Sequence, residues 1–332
     1  MKRAIFVLTF LFTFAVLLAG CGSGGTSKTA GKKDKIIIGY FPNINHVPAM
    51  VAKDKGYFEQ QLGDGTTVEY KTFAEGGSFM TALKTGEIDA GLVGPGPAMN
   101  NYTTGADVKI IAGASTGGTV VLARKGVEIN SAEDFAGKTF ITPGVGCTHD
   151  VQYETYLEAE GITSQRIGGT MKHLTGQPAQ YAAMLKSGKV DIAVAPEPWA
   201  AVIEKETGAE VVIGWDEVSF GETLPASVMV TSGKMIKENP DTVEKIISAH
   251  KEAVKFINEN PEEAQQITIK DIKETTGQEL EKDVVELAWE RIGFTHEVDA
   301  EAIQAFSDSS YALKFLKDKP DFKTLIDYSF IN

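Results

Sequence analysis

The chain has 332 residues, 45 of them acidic and 32 basic, for a formal net charge of -13, and it holds two cysteines. That balance excludes a nucleic-acid binder, because neutralising phosphates takes clustered Lys and Arg. Two cysteines exclude a disulfide-stapled framework, so stability has to come from a core; a chain of about 300 residues buries roughly 75% of its unfolded surface and can supply one.

Lys2 and Arg3 precede an apolar run from Ala4 to Leu18, which ends in Leu18-Ala19-Gly20-Cys21. A basic start, a short apolar stretch and small residues before a cleavage point make an export signal. The run is shorter than the roughly 20 residues of a membrane-spanning helix. Its ending resembles the bacterial lipobox, whose cysteine becomes the lipidated first residue. The resemblance implies that residues 1–20 are removed and that lipid on Cys21 anchors the protein to the extracytoplasmic face of the cell membrane. An ordinary secretory signal with a chance cysteine is the alternative. Residues 21–35 are rich in Gly, Ser, Thr and Lys. They read as a flexible tether.

From Ile36 the pattern alternates strand and helix. IIIGYFPNINHVPAMVAKDKGYF reads as strand, Gly/Pro/Asn loop, helix and closing Gly56. LKTGEIDAGLVGPGPA (83–98) then gives a helix end at Gly86, an apolar strand and a Gly/Pro loop. The same unit returns as LKSGKVDIAVAPEPWA (185–200), with Lys84/Lys186, Gly86/Gly188 and Asp89/Asp191 in register. KTFITPGVGCTHDVQYETYLEAEGI, from Lys138, repeats the strand, Gly-rich loop and helix of the first segment. Such repeats predict βαβ units and mostly parallel sheets, with ligand loops at the strands' carboxyl ends.

TVVLARKG (119–126) and ASVMVTSG (226–233) are apolar strands placed to cross between two lobes. The expected partition is lobe one over 36–122 plus 229–332 and lobe two over 123–228. After residue 233 the apolar spacing is helical, with Asp241 as the expected N-cap of VEKIISAHKEAVKFINEN. LEKDVVELAWERIGF and DAEAIQAFSDSSYALKFLKD are read as further helices that complete lobe one.

The lipobox, the I-x-I-G-Y-x-P-N opening, the helix ending D-K-G-Y-F, the A-L-K-x-G-x-I-D-A segment and the Gly-rich loop resemble the solute-binding proteins of ABC importers. The subgroup is the nitrate/taurine/alkanesulfonate type. The resemblance implies an α/β, two-lobed periplasmic-binding-protein fold (type II, Venus flytrap), closing on one small molecule. It further implies delivery to a membrane permease and its ATPase, no cofactor, no metal, no catalytic residue and a monomer. The solute it implies is an aliphatic sulfonate or a taurine-like zwitterion; nitrate, bicarbonate or a thiamine-pyrimidine precursor is the alternative.

Carried onto this sequence, the family's ligand loops are Asn43, Asn45 and His46, then Gly77 and Ser78, then Gly94, Pro95 and Gly96, then Ser115, Thr116 and Gly117. In lobe two they are Gly146, Cys147, Thr148 and His149, then Glu197 and Trp199, then Thr223. The loop around Gly146–His149 resembles the Gly-Ser-Ser-Ser-His loop of sulfonate binders, with Cys147 and Thr148 in place of serines. Glu197 is a candidate to meet an amine, and Trp199 a candidate apolar wall.

Other chemistries have weaker motifs. Gly113-Ala114-Ser115-Thr116-Gly117 fits the hydrolase pattern G-x-S-x-G, which needs strand, sharp turn and helix. Gly144-Val145-Gly146 lacks the third glycine of a dinucleotide loop, His149 standing there instead. Cys147 at a helix start could have a lowered thiol pKa. His46, His149 and Glu197 could hold zinc. A pyrimidine synthase of this fold would need a cysteine-rich segment, and a sensor ectodomain would need a transmembrane helix and a signalling domain.

Overall fold

A computed structural model describes residues 33–319 and 322–331. The expected signal segment and Cys21 lie outside the described residues, and Lys35 already belongs to the first strand. No helix among the described residues is long and apolar enough to cross a membrane.

The chain opens with β1 (Lys35–Tyr40), a 3-10 turn over Ile44–His46, α1 (Val47–Lys55), α2 (Tyr57–Leu62) and β2 (Thr67–Thr72). It continues through α3 (Gly76–Thr85), β3 (Ala90–Val93), α4 (Pro95–Thr103) and β4 (Lys109–Gly117). Next come β5 (Thr119–Ala123), β6 (Thr139–Thr142), α5 (Thr148–Glu158), β7 (Lys172–Thr175), α6 (Tyr181–Lys186), β8 (Ile192–Pro196), α7 (Trp199–Thr207) and β9 (Glu210–Ile213). The chain then runs through β10 (Pro225–Thr231), α8 (Gly233–Glu238), α9 (Pro240–Glu259), α10 (Pro261–Thr276), α11 (Lys282–Trp289), β11 (Ile292–Phe294) and α12 (Ala300–Ala312).

Two sheets result, in the orders β11-β4-β10-β3-β1-β2 and β7-β6-β8-β5-β9. We call the bodies built on them lobe one and lobe two. β1 pairs in parallel with β2 and β3, and β6 with β7 and β8, as the βαβ repeats predict. β10, β4, β11, β5 and β9 pair antiparallel, so both sheets are mixed. β4 follows β3 through α4 and β9 follows β8 through α7, each parallel to the strand before its helix, so the reversed strands are β5, β10 and β11, which enter after the chain has changed or returned between lobes.

The internal repeat has a physical basis. The Asp89 carboxylate accepts from Ile37 N at 2.9 Å, and Asp89 N donates to Ile37 O at 2.9 Å. Asp191 does the same for Thr139, at 3.0 and 2.9 Å. One aspartate thus ties the entry of each lobe's third parallel strand to its first. Lys33 and Arg124 pair with these two aspartates in turn.

Alternate strand residues face opposite layers, as the pleat requires. In lobe one, Ile36, Ile38, Leu92 and Met229 pack with α1 and α9, whereas Val93, Val228 and Val230 pack with Phe79, Met80, Ile303 and Phe306. Lobe two likewise has one apolar layer on each sheet face.

Sheet membership locates the crossings. β5 pairs entirely within lobe two, so the chain changes sheets at Gly117–Gly118 rather than after residue 122. Both glycines have left-handed φ, 76° and 75°. A β-carbon on Gly117 would lie 2.5 Å from Arg291 O, and one on Gly118 would lie 2.8 Å from Asn45 Oδ1. β10 pairs entirely within lobe one, so the return precedes Pro225 rather than following residue 228. The C-terminal region also departs from its expected form. α9 starts at Pro240 after the N-cap residue Asn239, which puts Asp241 in the first turn; proline suits that first position because its φ is preset. Ile292–Phe294, expected as helix, is an edge strand on β4. Its three residues pair with Ser115–Gly117 along the edge of β4.

Candidate functional site

A cavity of about 420 Å³ lies between the lobes, where loops of both meet. The 3-10 turn after β1 builds its lobe-one floor. Asn43 caps that turn, its Oδ1 accepting from Asn45 N at 3.1 Å. Asn45 and His46 are buried, and Asn45 Oδ1 and His46 Nδ1 have no hydrogen-bond partner. The His46 ring sits 4.9 Å from Phe41, which stacks on Phe79. Burial, then the neighbouring His149, lowers the His46 imidazole to about 3, so it is neutral at physiological pH.

Lobe two supplies the start of α5. Cys147, Thr148 and His149 line the cavity, and no side chain caps α5. His149 Nε2 is buried without a partner, and burial lowers this imidazole to about 4. Burial, then Asp150, pushes the Cys147 thiol up to about 12, the opposite of an activated nucleophile. Trp199 is buried, lines the cavity from the start of α7 and packs into the apolar cluster of lobe one.

The lobes touch at the cavity's rim. Gly96 N donates to Thr148 Oγ1 at 3.2 Å, and Asn100 Nδ2 donates to Gly146 O at 3.0 Å. A β-carbon on Gly96 would lie 2.9 Å from both Gly146 O and Thr148 N, so the backbones approach as closely as glycine permits. On one flank Arg166 donates to Leu313 O at 2.7 Å and lies 3.6 Å from the Phe315 ring centre. At the mouth, Gln278 Nε2 donates to Ala179 O at 3.0 Å.

Of the residues expected from sequence, Asn43, Asn45, His46, Gly94, Cys147, Thr148, His149 and Trp199 come together on the cavity wall. Gly96 and Gly146 stand just behind it in the contact between lobes, and Pro95 is the buried first residue of α4. Gly77 and Ser78 lie in the first turn of α3, beside the lining residues Glu75 and Gly76. Ser115, Thr116 and Gly117 are strand residues of β4. The Ser115 hydroxyl is buried and donates to Asn45 O at 3.0 Å, so it supports the floor and forms no nucleophile elbow. Thr223 is exposed, in the turn before β10, and is not on the wall.

Glu197 corrects the sequence reading. It is fully buried and does not line the cavity; its Oε1 accepts from Arg291 Nη1 at 2.8 Å and its Oε2 from Ala201 N at 3.1 Å. Burial outweighs Arg291 and raises its carboxyl to about 7. It therefore cannot meet a solute amine, nor complete a zinc set with His46 and His149. A different trio, Asp150, Glu154 and His173, brings its ligand atoms within 4.8 Å of one another. Glu154 there already accepts from Arg166 at 2.9 Å and from Ser164 at 2.9 Å.

Sequence reasoning missed several wall residues: Glu75, Phe73 and Thr72, the amides Gln177, Gln180 and Gln278, and Thr275–Thr276 at the end of α10. Only Glu75 carried a signal, as the acid preceding Gly76-Gly77-Ser78 at a helix start. Among the described residues, no Lys or Arg lines the wall and Glu75 is its one carboxylate.

Comparison with known proteins fits this geometry. The chain is 25% identical over 224 residues to a Brucella abortus (strain 2308) protein named as a binding protein, a match spanning 67% of this chain and 66%, just under two thirds, of that relative. It is 25% identical over 304 residues to the nitrate/nitrite binding protein NrtA of Nostoc sp. (strain PCC 7120), covering 76% of this chain and 67% of that one. The alkanesulfonate-binding protein SsuA from Xanthomonas axonopodis pv. citri, solved bound to MOPS, shares the fold with a TM-score of 0.74 at 19% identity, covering 90% of this chain and 99% of that one. The NMT1-like family matches residues 29–270, and with that span, the two-lobed α/β fold and the cleft between its lobes, this chain belongs to the NMT1-like family.

Proposed function

We propose that this chain is the extracytoplasmic receptor of an ABC importer, capturing one small organic solute and passing it unaltered to a permease. The observation that carries this reading is the set of unpartnered buried atoms at one cavity: Asn45 Oδ1, His46 Nδ1 and His149 Nε2. Each such group costs about 1–3 kcal/mol when left unsatisfied. A solute that pairs with them recovers that cost. The cavity volume also falls in the usual range for small-molecule sites, roughly 300–1,000 Å³.

The solute we favour is a small organic anion or zwitterion, of the aliphatic sulfonate or taurine kind. Uncapped N–H groups at α5 and the hydroxyl and amide side chains of the wall suit a single anionic group. Phe41, Phe73 and Trp199 suit a short apolar body. The same aromatic walls with neutral imidazoles favour a heterocycle as the second reading. Catalysis has no place in the proposal, because the Ser115 hydroxyl is committed to Asn45 O and burial raises the Cys147 thiol rather than activating it. The lobes move about Gly117–Gly118 and the return segment before Pro225, since hinges fall at element ends.

Native mass spectrometry of gently purified full-length protein tests this. One small molecule should be bound and recovered chemically unchanged. A cognate solute at a hundredfold its Kd should stabilise the fold by about 2.7 kcal/mol. Recovery of a converted product, or the absence of any stabilising solute in a broad thermal-shift screen, overturns the reading.

A further inference from the structure

The starts of α3, α4, α5 and α7 meet the cavity, and those of α3 and α5 are finished differently. At α3 the Glu75 carboxylate takes both free amides of the first turn, Oε2 lying 2.6 Å from Gly77 N and Oε1 2.6 Å from Ser78 N. Free amides at a helix start would otherwise receive an anionic group of the ligand. Here the protein's own anion occupies that seat. Each Glu75 oxygen keeps a lone pair, and the residue lines the cavity. At α5, in contrast, no side chain occupies the first-turn amides.

The charges around the site sharpen the asymmetry. A solute carrying only negative charge would face Glu75 with no Lys or Arg on the wall to offset it. Charge taken out of water needs a partner of opposite sign or a full set of donors. A second observation points the same way. Asn45 is 1% exposed and its Oδ1 is an acceptor with no donor. Glu75 and Asn45 both belong to lobe one and both line the cavity.

Building on the receptor reading, we propose that the solute is dipolar: an amine or other N–H donor faces the lobe-one wall at Glu75 and Asn45, and an acceptor or anionic end faces the uncapped start of α5. Glu75 is then the residue that sets specificity, admitting zwitterions and cationic or neutral N–H donors and rejecting simple anions. Glu197, between the lining residues Pro196 and Trp199, is removed from this role by Arg291.

The test uses matched pairs that differ in the amine alone: taurine against ethanesulfonate, β-alanine against propionate, and an aminopyrimidine against pyrimidine. Calorimetric titration of the full chain should find at least one pair in which the amine-bearing member binds roughly tenfold tighter or more. Glu75→Gln keeps a side-chain oxygen for the α3 amides, so the fold should hold, which circular dichroism melting of the ligand-free variant checks. That variant should lose most of the preference while leaving the partner without the amine unchanged or improved. No preference for the amine in any pair, or a preference that survives Glu75→Gln, overturns the proposal. Recovery of a simple anion from native protein would also overturn it while leaving the receptor reading intact; recovery of a converted product would sink that reading instead.

Discussion

Arg291 Nη1 reaches two acids of lobe two at once, Glu197 Oε1 at 2.8 Å and Glu204 Oε1 at 2.6 Å, and so pins the start of α7 to the end of α11 across the lobe boundary. The backbone continues the tie: Glu197 N donates to Gly118 O, Ile44 N to Glu197 O, and Gly118 N to Arg291 O. The acid that sequence alone offered to a solute is instead part of the joint.

Arg291→Met should therefore destabilise the protein by about 3–5 kcal/mol, because it leaves the Glu197 charge buried without its partner. The double variant Glu197→Gln/Arg291→Met should recover much of this. The Glu197 carboxyl is raised to about 7, so its neutral form is the one favoured on the acid side. The loss in Arg291→Met should accordingly be smaller at pH 6 than at pH 8. Urea denaturation at both values measures it; equal losses in the single and double variants would count against the account.

Gly96→Ala addresses closure. The added β-carbon would lie 2.9 Å from Gly146 O and Thr148 N, both backbone atoms of the facing lobe. Relieving such overpacking costs about 1–3 kcal/mol, and parting the lobes is the available relief. Solute affinity should drop roughly tenfold or more while the melting point of the ligand-free protein moves little. Titration with unchanged affinity would show that the lobes need not meet here.

The neutral histidines give a pH dependence with a definite sign. His149 is lowered to about 4 by burial, against the ordinary 6.5 of an unfolded chain. The unfolded form takes up the proton first as pH falls. Stability carried by neutral His149 is therefore fully present above pH 6.5 and is lost as pH falls through about 4. Glu197 acts in the opposite sense, which makes a difference measurement the clean one. Wild type should lose up to about 3 kcal/mol relative to His149→Gln between pH 6.5 and 4, with a flat difference above 6.5. A constant difference across the whole range would mean that the imidazole is not buried neutral.

Cys21→Ala tests the proposed anchor. The variant should lose labelling by fatty acid and leave the membrane fraction, with solute binding unchanged, because the described residues that line the cavity all follow Tyr40 in the chain. Lipid incorporation that persists in the variant would refute the lipobox reading.

Sequence by itself determined the repeated strand–loop–helix units, because the short apolar run Ile36–Ile38 and glycines closing helices at Gly56 and Gly86 are local signals that need no partner. It also found the wall residues that follow directly on a strand, Asn43 to His46 and Cys147 to His149, since ligand loops sit at fixed places in such units. Tertiary structure decided the rest. Thr275, Thr276 and Gln278 reach the cleft only because α10 folds back over α1, a contact across more than two hundred residues with no local mark. Glu197 and Glu75 look alike as acids beside glycine or proline. One is taken out of the cavity by Arg291 and the other left on its wall, because charge pairing depends on what the fold brings within a few ångströms, and spacing along the chain does not record that.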